Sequence, residues 1–410
     1  MRILICPLDW GLGHATRCIP LIRALLANGH QVRVGAAGGG LRLLRNEFPG
    51  LETFEYPGYP VRYSRSPACF LPVLLAQAPR VLIGLFAESR RLRGILAAHP
   101  CDLIISDGRY GVYASGIPAI FITHQVFIRV PGRFPGAGLA EKAILALNLR
   151  LLRRYTRVWV PDFPGADSLS GDLSHKPCGL ANLEFIHPLS RFSGPGPSAG
   201  TGAEGEAAAS GDLPVPSVDI LAVVSGPEPQ RGLFETALRG ELLRLQGTRV
   251  LVRGLPGAQA PAAAPAGLLS IRPGALTEFA HLSGGELSRL FAGAALIVAR
   301  SGYTTVMELA GLGCRAVVLV PTPGQSEQEY LADHLDRAGA GIRMDQHALD
   351  LEGARERLRD RPGFARWKRD AWKSPEGGAF SLSGFLSGHP VFAGAGAWKD
   401  AMDVRKVRQL

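Results

Sequence analysis

Short apolar, β-branched runs recur along this chain, and stretches with helical periodicity lie between them. Residues 3–6, 32–35, 103–106, 119–123 and 158–160 are runs of this kind, with helical stretches at 16–28 and 85–98. Strands without polar alternation are covered on both faces, and parallel strands need a crossover, normally a helix, to return. The pattern predicts a parallel sheet with helices on both sides. It is then repeated: 220–224, 250–252, 296–298 and 316–320 read as strands, with a helix over 233–246. The architecture recurs without any repeat of sequence. A chain of 410 residues exceeds what one core supports and suits two domains. We expect a first Rossmann-like domain over 1–192, a flexible linker or insertion over 193–217, a second Rossmann-like domain over 218–350, and a C-terminal helix with a poorly ordered tail over 351–410. In the linker, 19 of 25 residues are Gly, Pro, Ala or Ser, a composition that cannot build a core. A second Gly/Ser-rich stretch, 380–396, puts the disorder in the tail.

Hydrophobic residues at 46% and charged residues at 20% describe a soluble globular protein. The opening run Met1-Arg2-Ile3-Leu4-Ile5-Cys6 reads as a strand, because Pro7-Leu8-Asp9 interrupts it too early for a signal peptide. No run reaches the roughly 18 apolar residues that a bilayer span needs; the nearest, 70–86, is broken by Pro72, Gln77, Pro79 and Arg80. Six cysteines without Cys-x-x-Cys spacing argue against a disulfide framework or structural zinc and for a cytoplasmic protein. Residues 1–192 hold 22 Lys and Arg against 12 Asp and Glu, whereas 193–410 hold 23 of each, so the net +10 lies entirely in the first part. Arg90-Arg91-Arg93 and Arg150-Arg153-Arg154-Arg157 are its densest clusters. Each basic residue near an anionic bilayer contributes about 1 kcal/mol, which makes the inner face of the cytoplasmic membrane an expected peripheral partner. Solvated helix faces account for the same clusters equally well. Nucleic acid is not an expected partner, since the interleaved aromatic residues of single-strand binders are missing.

The stretch Ala299-Arg300-Ser301-Gly302-Tyr303-Thr304-Thr305-Val306-Met307-Glu308 follows an apolar strand and opens a helix. Free N–H groups and the positive end of a helix dipole suit a phosphate there. Glu308, two turns on, is placed to accept hydrogen bonds from ribose hydroxyls. The next strand ends in Pro321-Thr322-Pro323-Gly324-Gln325-Ser326-Glu327-Gln328-Glu329-Tyr330, a loop able to hold a polyol. Neighbouring parallel strands present their carboxyl ends to one crevice, and together these loops read as a nucleotide-sugar site. A turn followed by an ordinary helix start is the plainer alternative.

Strand 1 ends in Pro7-Leu8-Asp9-Trp10-Gly11-Leu12-Gly13-His14-Ala15-Thr16-Arg17. A dinucleotide reading fails, because the third glycine of Gly-x-Gly-x-x-Gly falls on Thr16 and no acidic residue closes the second strand. His14 is placed at a helix start beside two glycines, Gly11 and Gly13, that let a ligand approach. An ordinary imidazole pKa suits a general base. Asp107, at another strand end, is placed to orient it; its alternative role is to cap the following turn. His124-Gln125 closes the next strand and faces the same crevice.

Taken together, Gly11-Leu12-Gly13-His14, Ser225-Gly226-Pro227-Glu228-Pro229-Gln230-Arg231, Arg300-Ser301-Gly302…Glu308 and Pro321…Gln325…Gln328-Glu329-Tyr330 resemble the GT-B glycosyltransferases. Within these the likeness is to family 28, the group of the bacterial muramyl-pentapeptide N-acetylglucosaminyltransferase, and it covers roughly residues 1–345. The resemblance implies an α/β fold of two doubly wound domains facing an interdomain cleft. It implies an inverting transfer from a UDP-sugar to a lipid-linked or other cell-envelope acceptor. The first domain would bind the acceptor near Gly11, Gly13, His124 and Gln125, with His14 as base. The second would bind the donor: Ser225 and Gly226 at the diphosphate, Glu308 at the ribose, Gln325, Gln328 and Glu329 at the sugar, and Ser301, Gly302 and Thr304 at the helix start. Arg231 and Arg300 would stabilise the leaving group. No Asp-x-Asp pair occurs in the sequence, and the expectation is a reaction without metal or cofactor beyond the UDP-sugar co-substrate. Two departures stand out. Ser225-Gly226-Pro227 replaces the family's usual Gly-Gly-Ser, and acidic Glu329 follows Gln328 where a Gln pair is usual, so N-acetylglucosamine is not implied as the donor sugar. A nucleotide-sugar hydrolase and a non-catalytic nucleotide-sugar binder remain the rival readings.

Overall fold

The computed structural model describes residues 1–58, 78–130, 136–192, 216–255, 267–370 and 381–392. Seven strands form the first sheet: β1 (Arg2–Pro7), β2 (Gln31–Ala36), β3 (Glu52–Glu55), β4 (Leu103–Asp107), β5 (Ala119–Ile122), β6 (Arg157–Pro161) and β7 (Leu183–Ile186). They run in the order β3-β2-β1-β4-β5-β6-β7, all parallel. Helices α1 (Gly13–Ala27), α2 (Gly38–Glu47), α3 (Ala78–Ala98) and α4 (Ala137–Leu152) accompany them. The second sheet joins β8 (Val218–Val223), β9 (Arg249–Val252), β10 (Leu276–Phe279), β11 (Ala294–Arg300), β12 (Val317–Val320) and β13 (Ile342–Arg343) in the order β10-β9-β8-β11-β12-β13. Its pairings are also all parallel. Its helices are α5 (Gln230–Arg244), α6 (Gly284–Gly293), α7 (Tyr303–Leu312), α8 (Ser326–Arg337) and α9 (Leu351–Leu358).

The core explains the missing polar alternation. In β1, Ile3 and Ile5 pack into one apolar cluster while Leu4 and Cys6 pack into another on the opposite face. β4, β5 and β12 are buried at every position. Successive side chains point to opposite faces, so a strand covered on both sides must be apolar throughout. Strand order reverses between β1 and β4 in the first sheet and between β8 and β11 in the second. Those are the points where a doubly wound sheet leaves a crevice beyond its strand ends. The loops carrying His14, Asp107, Ser225-Gly226 and Ser301-Gly302 leave from these four strands.

Four strands escaped the sequence reading: β3, β7, β10 and β13. All are sheet edges. β3 reads Glu-Thr-Phe-Glu with both ends exposed, and β13 is two residues long, so neither shows an apolar run. The expectation of a poorly ordered tail fails for 381–392. After α10 (Ala365–Asp370), helix α11 (Leu382–Gly388) packs against the first domain. Asn28 donates to the Ser383 carbonyl at 2.9 Å, and His389 Nε2 lies 2.9 Å from Glu184 Oε2. Leu386 is fully buried, and Phe385 and His389 meet Trp159 edge-on. Trp367 Nε1 donates to the Asp167 carbonyl at 2.6 Å. The expected linker lies outside the described residues up to 215, the apolar stretch 70–86 up to 77, and the tail beyond 392.

Leu386→Ala is expected to cost about 2–5 kcal/mol, the range for truncating a buried leucine. An unchanged unfolding midpoint by circular dichroism would show that α11 does not dock in solution.

Candidate active site

His14 falls in the first turn of α1, and Arg17 one turn later on the same face. Both reach Asp107 at the end of β4, which is fully buried. His14 Nδ1 lies 3.1 Å from Asp107 Oδ1, and Arg17 Nε donates to Oδ2 at 2.7 Å. A second guanidinium nitrogen of Arg17 donates to Oδ1. Burial alone would raise the Asp107 carboxyl, but Arg17 and His14 outweigh it and hold the group well below the usual carboxylate range. For His14, burial and then the Arg17 charge push the imidazole below its ordinary value, with Asp107 opposing them. The ring is therefore neutral at neutral pH, as a base requires. Gly108, which follows Asp107 with φ +75°, allows the approach: a Cβ there would sit 2.8 Å from His14 Cε1.

The second domain closes on this cluster. Thr304 Oγ1, in the first turn of α7, donates to the Gly13 carbonyl at 3.1 Å. A Cβ on Gly13 would stand 3.1 Å from that hydroxyl, so Gly13 lets the starts of α1 and α7 meet. Two helix N-termini converge there, a positive field suited to an anion. His124 stacks on Tyr303 at 4.3 Å and holds Glu327 of α8 at 2.7 Å through Nε2. Ser326 Oγ donates to the Arg129 carbonyl at 2.7 Å and Tyr303 Oη to that of Pro161 at 2.8 Å. Beside these contacts a cavity of about 630 Å³ opens between the domains, lined in part by Arg129, Asp172, His175, Ser326, Glu329 and Tyr330.

Some expected donor residues meet other partners. Arg300 is buried and donates to the carbonyls of Pro321 at 3.0 Å and Gln230 at 3.1 Å and to Gln346 Oε1 at 2.5 Å. It also lies over the Phe234 ring, and burial lowers its pKa to about 9. It braces the second domain from within and does not face the cleft. Arg231 is tied to Glu228 at 2.6 Å and Glu235 at 2.5 Å, so its charge is already neutralised. Ser301 is fully buried and donates to the Gln328 carbonyl at 2.8 Å. Gln328 accepts from the Thr322 N–H at 2.9 Å and donates to Gln325 Oε1 at 2.6 Å, and Glu329 accepts from the Gly324 N–H at 3.0 Å. These side chains shape the loop after β12. Gln125 is held through its backbone, its N–H donating to Thr123 Oγ1 at 3.0 Å. Gly302 caps α7 without a side-chain bond, and Ser225-Gly226 forms the open turn after β8.

Glu308 is not a free crevice carboxylate. It is 6% exposed, and Arg191, from the end of the first domain, places Nε 2.6 Å from Glu308 Oε1. Burial raises the Glu308 carboxyl and Arg191 partly offsets this. The sequence reading missed Arg17, Arg191 and Glu327. Arg17 could have been found, since it stands three residues after His14, whereas Arg191 and Glu327 gain meaning only from the approach of the domains.

The fold is GT-B, and the family match and relatives below are those of glycosyltransferases. Residues 285–361 match the glycosyltransferase family 28 C-terminal domain. An uncharacterized glycosyltransferase of Methanosarcina acetivorans is 26% identical over 84% of this chain and 84% of its own length. The UDP-N-acetylglucosamine--N-acetylmuramyl-(pentapeptide) pyrophosphoryl-undecaprenol N-acetylglucosamine transferase of Histophilus somni is 35% identical over 21% of this chain and 23% of its own. Among solved structures, the glycotransferase of kitacinnamycin aligns with a TM-score of 0.58 at 17% identity, over 94% of this chain and 98% of that one. The glycosyltransferase SsfS6 of Streptomyces sp. SF2575, complexed with thymidine diphosphate, aligns at 0.52 and 16% identity, over 90% and 94%.

Arg300→Met is expected to destabilise the fold by roughly 1–3 kcal/mol, because buried acceptors lose a charged donor. Calorimetric nucleotide affinity should stay near wild type. A loss of affinity in a fully stable variant would return Arg300 to the donor site.

Proposed function

We propose that this protein is an inverting, metal-independent glycosyltransferase that moves a sugar from a UDP-sugar to a hydroxyl of a cell-envelope, lipid-linked acceptor. The observation that carries the reading is the meeting of His14 and its buried Asp107 with the uncapped start of α7 across the cleft. In this reading the acceptor oxygen attacks the anomeric carbon while His14 Nε2 takes its proton, and the bond from that carbon to the diphosphate breaks. Negative charge grows on the departing UDP, where α7 N–H groups and the helix dipole stabilise it without reorganisation. Glu308 holds the ribose. A carboxylate offers about four lone-pair sites, so Arg191 at Oε1 leaves Oε2 for a hydroxyl. A pyrimidine nucleoside diphosphate is supported by the bound thymidine diphosphate of one fold neighbour and the UDP-sugar donor named for one relative.

His14→Ala should lower kcat by roughly 10²–10⁴ while UDP affinity holds, because UDP would be bound by the other domain. Since the His14 pKa is lowered, wild-type kcat should persist down to an acid limb below about 6.5. Glu308→Gln should instead weaken UDP binding by about 1.5–3 kcal/mol. Wild-type kcat in His14→Ala excludes the base, and unchanged affinity in Glu308→Gln excludes the ribose contact.

Peripheral membrane binding belongs to the same proposal. Ile83 and Phe86 on α3 are 69% and 77% exposed, and Leu139 and Leu147 on α4 are 76% and 56% exposed. Exposed Arg90 and Arg93 follow the first pair, and Arg150 and Arg153 the second. Such apolar residues edged with arginine suit the headgroup region. Co-sedimentation with anionic but not neutral vesicles at low salt is expected. Equal, negligible binding to both would leave only solvated helix faces.

A further inference from the structure

We propose that Arg17 is a positioning residue that clamps Asp107 beside His14, sets an unfavourable charge against a protonated His14, and braces His124, the histidine that holds the second domain. Its bearing on catalysis rests on the reading of His14 as base; its geometry does not. Arg17 is 2% exposed and uses all three guanidinium nitrogens. Nε and Nη2 grip the two oxygens of Asp107, a fork that fixes the carboxylate plane. Asp107 Oδ1 then stands 3.1 Å from His14 Nδ1. His14 Nδ1 is thus faced by an acceptor, Asp107 Oδ1, and by a donor, Arg17 Nη2 at 2.9 Å.

Arg17 also reaches the second histidine of the cluster. Arg17 Nη1 lies 3.2 Å from His124 Nδ1. A guanidinium only donates, so this nitrogen accepts and the proton sits on Nε2. There Glu327 of the second domain receives it at 2.7 Å. One arginine thus contacts both the imidazole read as base and the imidazole that holds the opposite domain. The groups facing His14 are Arg17 on α1, Asp107 at the end of β4 with Cys18 Sγ 3.6 Å behind it, His124 after β5, and Glu327 on α8. Of these, only Arg17 is a permanent cation, and its charge opposes an imidazolium at His14.

The test uses the full chain and diethyl pyrocarbonate, which acylates neutral imidazole, with labelling followed across pH by peptide mass spectrometry. Exposed His347 serves as the internal reference. In the wild type, the labelling midpoint of His14 should lie below the ordinary imidazole range. Arg17→Gln should raise it by about one pH unit or more, the usual effect of losing an adjacent charge, and should speed labelling of His124, whose Nδ1 is freed. Arg17→Lys, which keeps the charge but loses the fork, should raise the midpoint by a smaller step. An unmoved His14 midpoint in folded Arg17→Gln overturns the proposal. If that variant does not fold, an unmoved midpoint in Arg17→Lys does so instead. Loss of the base reading through His14→Ala would leave this result standing, and an unmoved midpoint here would leave the base reading standing.

Discussion

Burial of each inner strand on both faces is the constraint from which the rest follows. A parallel strand between two helical layers can carry only apolar side chains, so its own residues cannot perform chemistry. Polar groups are confined to strand ends, and where strand order reverses these ends diverge and leave space. In both sheets the reversal falls beside the first strand, between β1 and β4 and between β8 and β11. The same constraint that removes polar residues from the sheet therefore gathers His14, Asp107 and the start of α7 in one place.

The cleft also separates two uses of charge. Arg300 and Arg109 are both buried, yet neither faces the cleft: Arg300 braces carbonyls, and Arg109 pairs with Glu88 at 2.8 Å inside the first domain. Taking an ion out of water is costly, and a cation that spends its donors on buried carbonyls or a buried carboxylate has few left for a substrate. Glu308 and Arg191 differ, because each is supplied by a different domain and the pair exists only where the domains meet.

How much was legible in the sequence follows from the same physics. The inner strands announced themselves because two-sided burial writes a continuous apolar run. The four missed strands lie at the sheet edges, where burial is partial and the residues read as polar or the run is too short. The glycine loop, His14 and Asp107 were legible because strand-end position is set by local pattern. The partners of Arg300 and Arg231 were not legible, because an arginine next to a phosphate-type turn looks the same whether it points out to a ligand or inward to carbonyls. Only packing decides, and Phe234, Gln230 and Gln346 lie far from Arg300 in sequence.

The docking of α11 has a mechanical consequence. The polypeptide passes from the first domain to the second between 192 and 218, then returns between 358 and 382 to settle on α1 and β7. Two bodies joined by a single strand of chain can swivel, twist and separate. With α11 packed on α1, the chain is attached to the first domain again after leaving the second, so full separation is opposed by two attachments and not one.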